Sequence, residues 1–171
     1  MRTRIIAAIS FLVLLTVSIW AQRDTQNARP TATLIFTASD AAAMIAKSPA
    51  DKNALGQRML QLGPYSVNME HRVMGQAAAV HEKEAELFYV IEGVGTIVTG
   101  GKLVEEKRTN EANLTGTSIQ GGVTKKISKG DWVLVPEGVS HQIPNVEGPI
   151  TVMSLHLPRR PRHQNKKKED V

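Results

Sequence analysis

The sequence contains no cysteine among its 171 residues. Disulfides and thiolate metal sites are therefore excluded, and any bound metal has to be held by histidine, aspartate or glutamate. At this length one domain can bury a core without covalent cross-links. Imidazole ligands have to come from a short set: His71, His81, His141, His156 and His163.

An apolar run long enough to span a membrane is also missing. The longest run covers residues 5–20, which is shorter than the roughly 20 residues that a spanning helix needs. Arg2 and Arg4 precede it and the small residue Ala21 follows it. This pattern predicts a signal peptide, residues 1–21, and a protein exported to the periplasm or secreted, with no stable membrane association after cleavage. An uncleaved anchor is the alternative.

The chain has little charge outside its two ends. The formal net charge is +5, of which +2 lies in Arg2 and Arg4 and +4 in residues 159–171, so the remainder carries −1. A nearly neutral body excludes a basic nucleic-acid-binding face, and we expect no nucleic-acid partner. Residues 158–171 cannot bury apolar area and are predicted to form a disordered basic tail.

The N-terminal part of the mature chain is predicted to hold a leader and one helix, over residues 22–58. Ser39 or Asp40 can cap a helix over Ala41–Lys47, since these side chains accept hydrogen bonds from free backbone N–H groups. Residues 52–61 have no clear period and are interpreted as a loop or a short helix.

From Tyr65 onward the apolar period changes to two, which is typical of strands. Predicted strands cover residues 65–74, 87–91, 95–99, 125–128, 132–135, 142–143 and 150–157. Many short strands between Gly, Pro and Asn turns predict an all-β sandwich or barrel over residues 59–157. Residues 100–129 are polar and glycine-punctuated, and are interpreted as a long loop, either functional or a disordered insertion. We predict that this segment lies at the open mouth of the barrel, and a position at the closed end would exclude a lid role.

One stretch of the sequence combines a turn, a strand and a well-placed histidine. Gly130, Pro136, Gly138, His141 and Asn145 fit the pattern G-x5-P-x-G-x2-H-x3-N. A histidine directly after a Pro-x-Gly turn, where a strand begins, is held on rigid backbone. The stretch resembles the second motif of the cupin superfamily at every fixed position.

The first cupin motif, G-x5-H-x-H-x3-4-E-x6-G, is matched only in part. Gly75 and His81 have the spacing of its first half, and Glu86 and Gly93 that of its second. Only one histidine lies between these two halves, so the motif is incomplete.

Two alignments of the incomplete motif are open. If His81 is the first histidine, Lys83 occupies the second position. If His81 is the second, Ala79 occupies the first, and the match at Gly75 is a coincidence. The second alignment keeps the spacing from histidine to Glu86, and we prefer it.

The resemblance implies a jelly-roll β-barrel with a short N-terminal helix and a disordered basic C-terminal tail, and a homodimer. It implies that His81, Glu86 and His141 meet in the barrel and hold a divalent transition metal, either Fe, Mn, Ni or Zn. Two histidines and one carboxylate leave coordination positions open for a substrate or oxygen. His71 and His156 lie on predicted strands and are candidates for a fourth ligand or a supporting role.

The resulting functional hypothesis is a metal-dependent enzyme of dioxygenase, isomerase or lyase type that acts on a small organic molecule. No catalytic residue is indicated beyond the ligands. The alternative is a non-catalytic binding or sensor cupin without metal, because the first motif lacks a histidine. A Lys83 side chain inside the barrel would favour the alternative, and one in solvent would favour the enzyme. Tyr65 and Gln142 are candidate polar groups of the pocket.

Overall fold

The structure, a computed structural model, describes residues 33–158. The predicted signal peptide 1–21, the first part of the predicted leader and nearly all of the predicted tail 158–171 lie outside the described residues. By its internal contacts the chain divides after Leu34, and the elements below belong to the unit that begins at Ile35.

The predicted helix is present and begins earlier than expected. Helix α1 covers Ala38–Ala46, and Thr37 is its N-cap. Thr37 accepts a hydrogen bond from the backbone of Asp40, whose carboxylate accepts one from the backbone N–H of Thr37 at 2.8 Å. This reciprocal capping box uses Asp40 in the first turn rather than at the cap. Over residues 33–158, no helix has both the length and the apolar character needed to cross a membrane.

The rest of the described chain is mainly strand. The strands are Ala54–Leu62 (β1), Tyr65–Arg72 (β2), Ala78–His81 (β3), Glu84–Glu92 (β4), Val94–Thr99 (β5), Lys102–Val104 (β6), Lys107–Arg108 (β7), Asn113–Gly116 (β8), Ser118–Gln120 (β9), Val123–Ser128 (β10), Trp132–Val135 (β11), His141–Val146 (β12) and Ile150–Pro158 (β13). All pairings between them are antiparallel. The all-β jelly-roll prediction is confirmed.

The strands form two large sheets and one small one. The order is β1-β2-β13-β4-β11 in the first sheet, β10-β5-β12-β3-β8-β7 in the second and β6-β9 in the third. The first sheet contributes Phe88, Val90, Val135, Ile150 and Val152 to the core, and the second contributes Ile97, Ile127 and Ile143. Burying a side chain of this size stabilises the fold by about 1.5–3 kcal/mol. One apolar cluster therefore joins the inner faces of both large sheets.

Two interpretations of the sequence were wrong. Residues 52–61 are neither loop nor helix, because β1 pairs with β2 at the edge of the first sheet. The boundary predicted at residues 58 and 59 falls within that strand. The segment 100–129 is not a loop either, since it holds β6 to β10. Pairing with distant strands supplies the order that a polar, glycine-punctuated sequence does not show locally.

Gly75 has a packing role independent of the motif that suggested it. A Cβ atom at this position would lie 1.9 Å from the backbone oxygen of Pro144 in β12. The next residue, Gln76, donates its backbone N–H to the oxygen of Ile143 at 3.1 Å. Glycine is thus required where the chain crosses β12 closely on its way into β3.

Candidate metal centre

Four strands supply the polar side chains of the candidate site. His81 ends β3, Glu86 lies in β4, His141 begins β12 and His156 lies in β13. His156 is directly opposite Glu86 in the first sheet, and His141 is opposite Ala79 in the second. The site therefore forms between the inner faces of the two sheets.

The turn of the complete motif positions His141. Gly138 adopts a φ of +76°, a conformation that favours glycine. Its backbone N–H donates to the backbone oxygen of His81 at 2.8 Å. Ser140 donates its hydroxyl to the oxygen of Gly100 at 2.7 Å. The first bond holds the start of β12 beside the end of β3, and the second holds it beside the end of β5. The imidazole rings of His81 and His141 have centroids 5.3 Å apart.

Glu86 is the centre of the group. Its side chain is only 4% exposed, and its Oε2 lies 3.3 Å from Nε2 of His81 and 3.1 Å from Nε2 of His141. Its Oε1 lies 3.3 Å from Nε2 of His156. Three imidazoles thus turn the same ring nitrogen towards one buried carboxylate.

The other ring nitrogen of each histidine is held by an acceptor. Nδ1 of His81 lies 2.8 Å from Oδ1 of Asn113, and Nδ1 of His156 lies 2.7 Å from a carboxylate oxygen of Glu84. Nδ1 of His141 lies 3.4 Å from the backbone oxygen of Val139. Because an oxygen acceptor requires a proton on the facing nitrogen, each ring donates from Nδ1.

The proton on Nδ1 determines what each Nε2 presents to Glu86. A neutral imidazole that carries its proton on Nδ1 presents a lone pair at Nε2. Three such lone pairs would face the oxygens of Glu86, which repel them. Either the rings are protonated, which collects excess positive charge in a buried place, or a cation binds the lone pairs and the carboxylate together.

Without a metal, the ionisable groups stabilise one another's charges. Burial alone would raise the pKa of Glu86, but hydrogen bonds from His141, His156 and His81 hold it far below its usual range. The hydrogen bond to Glu86 raises the pKa of His156 to about 9, against the effect of burial. Burial lowers the pKa of His81, and its bonds to Glu86 and Asn113 outweigh burial and raise it. The carboxylate of Glu86 is therefore ionised.

The distances from the Glu86 carboxylate to the histidine nitrogens are those expected between ligands of a single transition-metal ion. Two ligand atoms about 2.1 Å from one ion are roughly 3.0 Å apart at a right angle and roughly 3.4 Å apart at a tetrahedral angle. The distances from Glu86 to the three Nε2 atoms, 3.1–3.3 Å, fall in this interval. Ligand atoms of His81, Glu86 and His156 all lie within 4.8 Å of one another. His141 is outside this group, although its Nε2 is 3.1 Å from Glu86. Imidazole and carboxylate donors suit Fe, Mn, Ni and Zn.

The structure brings together all three residues that the sequence predicted as ligands, His81, Glu86 and His141. It adds His156, which the sequence offered only as a candidate for a fourth position. His71 lies elsewhere: it is buried, and its Nδ1 is 2.9 Å from the hydroxyl of Thr151.

The position of Lys83 supports the second alignment of the incomplete motif. Its side chain is 57% exposed and pairs with Glu111. Ala79 instead lines the same cavity as His81. The first histidine position of the motif is thus filled by an alanine that faces the site, and the additional imidazole comes from His156 on a different strand.

A cavity of about 190 Å³ opens beside the four residues. Its lining consists of Glu70, Arg72, Gln76, Ala77, Ala79, His81, Glu86, Phe88, His141, Gln142, Ile143 and His156. Gln142 was expected as a polar group of the pocket and lines it, whereas Tyr65 does not and is exposed. The ring of Phe88 lies 5.9 Å from that of His141, so the core continues directly into the cavity wall.

Sequence reasoning missed several residues around the site. Asn113 and Glu84 hold the outer nitrogens of His81 and His156, and neither belongs to a motif. Glu70 and Arg72 alternate with Met69 and His71 along β2, and this period of two was the only available signal that they share a face. The pattern could not show which face is the interior.

Comparison with known proteins supports the same fold. The sequence model of the Cupin family matches residues 40–166. No curated protein matches the chain in sequence.

Two solved structures show the likeness. The structure of TT1209 from Thermus thermophilus has 18% identity and a TM-score of 0.50, and the match covers 75% of this chain and 100% of that one. An uncharacterized conserved protein with a double-stranded beta-helix domain from Klebsiella pneumoniae subsp. pneumoniae has 16% identity and a TM-score of 0.50, with 74% and 91% covered. At these identities the two structures support the fold, and the family match rests on the sequence itself. The chain belongs to the cupin family.

Proposed function

We propose that the protein is a metal-dependent cupin enzyme that acts on a small organic molecule. His81, Glu86, His141 and His156 hold one divalent transition-metal ion. The observation that carries the proposal is the arrangement of three imidazoles, each with Nδ1 hydrogen-bonded to an acceptor and Nε2 directed at the same buried carboxylate.

The bound ion would supply Lewis-acid chemistry to an oxygen of the substrate. The chain supplies the rest. Asn113 and Glu84 fix the tautomer and the orientation of their histidines. Phe88 and the surrounding core keep bulk water away from Glu86, which strengthens electrostatic interactions in the cavity. Four protein ligands leave positions open on an ion that prefers six, and the cavity lies beside them.

The alternative of a metal-free binding cupin has less support. It depended on the missing histidine and on a lysine that would repel a cation. His156 supplies an additional imidazole, and Lys83 extends into solvent. The small cavity and the donor set both favour a metal-bound small-molecule site.

Export and homodimer formation are further parts of the proposal. They are supported by the sequence of residues 1–21 and by the resemblance to small cupins. A chain without cysteine is also compatible with an oxidising compartment, because it exposes no thiol to oxidation.

A metal titration tests the central proposal. Protein stripped with a chelator is titrated with Mn²⁺, Fe²⁺ under anaerobic conditions, Ni²⁺ and Zn²⁺ by calorimetry. We expect one site per chain, with affinity reduced at least about 100-fold in Glu86→Gln, because an anionic ligand is lost. Glu92→Gln is the matched control, since it lies on the same strand roughly 20 Å away. A wild-type protein that binds none of these ions, or a Glu86→Gln variant that binds them equally well, overturns the proposal.

A further inference from the structure

The cavity has a second polar end, formed by β2 and the segment that follows it. Arg72 donates from Nε to Oε2 of Glu70 at 3.1 Å, and its Nη2 contacts the same oxygen. Ser154 donates to the other oxygen of Glu70 at 3.2 Å. The side chain of Arg72 is only 8% exposed. A buried arginine thus lines the cavity without belonging to the candidate metal ligands.

The pairing of Arg72 is incomplete. Both of its contacts with Glu70 use a single carboxylate oxygen, whereas an arginine can bind a carboxylate through two parallel hydrogen bonds. Within residues 33–158 the hydrogen bonds of the Arg72 guanidinium use Nε and Nη2, and Nη1 is not among the enclosed atoms that lack a partner. A buried guanidinium with an unused donor at a cavity wall is able to bind an anionic group there.

Gln76 adds an unused acceptor at the same cavity. Its Oε1 is buried and has no hydrogen-bond partner in the described part of the chain. Gln142, beside it, is fixed by donating to the backbone oxygen of Gln76 at 2.7 Å. An unsatisfied buried acceptor costs free energy unless a ligand donates to it. A hydroxyl group on the ligand would do so.

The charge of Arg72 and the volume of the cavity restrict the class of ligand further. Arg72 places a positive charge at this end of the cavity, and a ligand carboxylate would pair with it. The cavity volume of about 190 Å³ equals that of roughly six water molecules and is smaller than a pocket for a drug-sized ligand.

We propose that the Arg72 end of the cavity binds the carboxylate of a small hydroxycarboxylic acid, with its hydroxyl donating to Gln76. This assignment rests on the proposed metal site, because it makes the bound molecule the substrate or ligand of that site. It names a substrate class, the small hydroxy acids, and a specificity residue, Arg72.

Binding of three molecules of similar size tests the assignment. Lactate carries the carboxylate and the hydroxyl, lactamide replaces the carboxylate with a neutral amide, and propionate lacks the hydroxyl. Calorimetry on metal-loaded wild-type protein is expected to show lactate binding roughly tenfold or more tightly than lactamide, and more tightly than propionate. Equal binding of lactate and lactamide, or no binding of lactate at millimolar concentration, overturns the assignment.

Two variants locate the effect at Arg72. Glu70→Gln releases the guanidinium from its partner and is expected to strengthen lactate binding, which a merely structural role of the ion pair would not do. Adding Arg72→Gln to Glu70→Gln restores the net charge of the wild-type cavity and keeps a similar volume, and is expected to reduce lactate binding at least roughly tenfold relative to Glu70→Gln alone. The exposed ion pair of Lys126 and Glu147 gives the matched control, Lys126→Gln with Glu147→Gln.

Metal content measured on the same samples separates the two proposals. If every variant binds metal and lactate binding does not depend on Arg72, this assignment is wrong and the proposed metal site is unaffected. Lactate binding that depends on Arg72 in a protein that takes up no metal supports the carboxylate site and overturns the proposed function. If the double variant does not fold, Glu70→Gln decides the matter: lactate binding no stronger than in the wild type overturns the assignment.

Discussion

At the scale of single residues, His156 changes the composition of the site. It comes from β13, outside both motifs, and faces Glu86 across neighbouring strands. The alanine at position 79 and the histidine at 156 together keep three imidazoles around the carboxylate. The site thus differs from the family motif in the strand that provides one of its imidazole rings, which is β13 instead of β3.

We expect His156→Ala to reduce metal affinity by at least about 10-fold, since one donor and its bond to Glu84 are lost. His71→Ala is the matched control, because that histidine is buried on β2, bonds to Thr151 and lies outside the cavity lining. The measurement is metal retained after dialysis of both variants against a chelating buffer. Equal retention in His156→Ala and the wild type would show that His156 is not a ligand.

The residues that hydrogen-bond to the metal ligands should affect metal affinity nearly as strongly as the ligands themselves. Asn113→Ala removes the acceptor that fixes Nδ1 of His81, and we expect a loss of metal affinity of roughly 10- to 100-fold with little change in fold. Asn145→Ala, at an exposed position of β12, is the control. Calorimetric titration with Mn²⁺ of both variants checks this. An Asn113→Ala affinity within twofold of the wild type contradicts the supporting role.

Spacing in the sequence predicted residues of the site only where they lie close to one another, or to a turn, along the chain. The turn before His141 carries its own signal in Pro136 and Gly138, and the strand holding Glu86 follows His81 closely. Asn113 lies 32 residues from His81 and meets it only because β8 pairs with β3. No local pattern encodes such a contact.

At the scale of elements, the segment 100–129 forms strands, and one of them helps to hold a residue of the site in place. Its strand β8 pairs with β3 along the whole length of β3. Thr115 donates its hydroxyl to the backbone oxygen of Ala78 at 2.9 Å. The ordered pairing fixes the direction of β3 and therefore of His81.

The close approach of Gly75 to the backbone of β12 gives a prediction for the packing of these elements. Gly75→Ala places a methyl group against the backbone of Pro144, which cannot move without shifting β12. We expect a loss of about 3 kcal/mol in the free energy of unfolding. Gly63→Ala is the control, since nothing lies within 4 Å of the added atom there. Urea unfolding measures both, and a loss below about 1 kcal/mol for Gly75→Ala, the typical effect of any substitution, contradicts the account.

The sequence predicted most strands of the barrel because their alternation and turns are locally strong. It did not predict β1, whose residues 54–62 have no clear period and form a strand through pairing with β2. It did not predict β3, Ala78–His81, either, nor β6 to β9, which are short and polar. Edge and connecting strands of this kind depend on their neighbours more than on their own residues.

At the scale of the whole molecule, the stability of the metal-stripped protein should depend on pH. The raised pKa of His156, about 9 against an ordinary 6.5, means that the folded state binds its proton more tightly than the unfolded state does. The resulting stabilisation is complete below pH 6.5 and is lost as the pH rises through 9. The lowered pKa of Glu86 gives stabilisation that is present above pH 4.5 and lost as the pH falls.

We therefore expect the Tm of stripped protein to fall between pH 6.5 and 9, and that of metal-loaded protein to fall less, because metal binding favours the deprotonated ligands. Thermal unfolding followed by circular dichroism across this range checks both. His156→Gln should show a smaller decline when stripped. An equal decline in that variant would mean that another group controls the pH dependence.

Export is a second prediction for the whole molecule. The chain recovered outside the cytoplasm should begin at Gln22, since cleavage is expected after Ala21. Intact mass of the secreted protein gives the answer. A chain that keeps Met1 and sediments with membranes would favour the uncleaved anchor instead.

One cation is proposed to join the three imidazoles to Glu86. Crystals of protein equilibrated with Mn²⁺ and measured at the manganese absorption edge show whether it is there. We expect one anomalous peak per chain, within bonding distance of Glu86 and of Nε2 of His81, His141 and His156. No peak there, with the imidazoles hydrogen-bonded directly to the carboxylate, would contradict it.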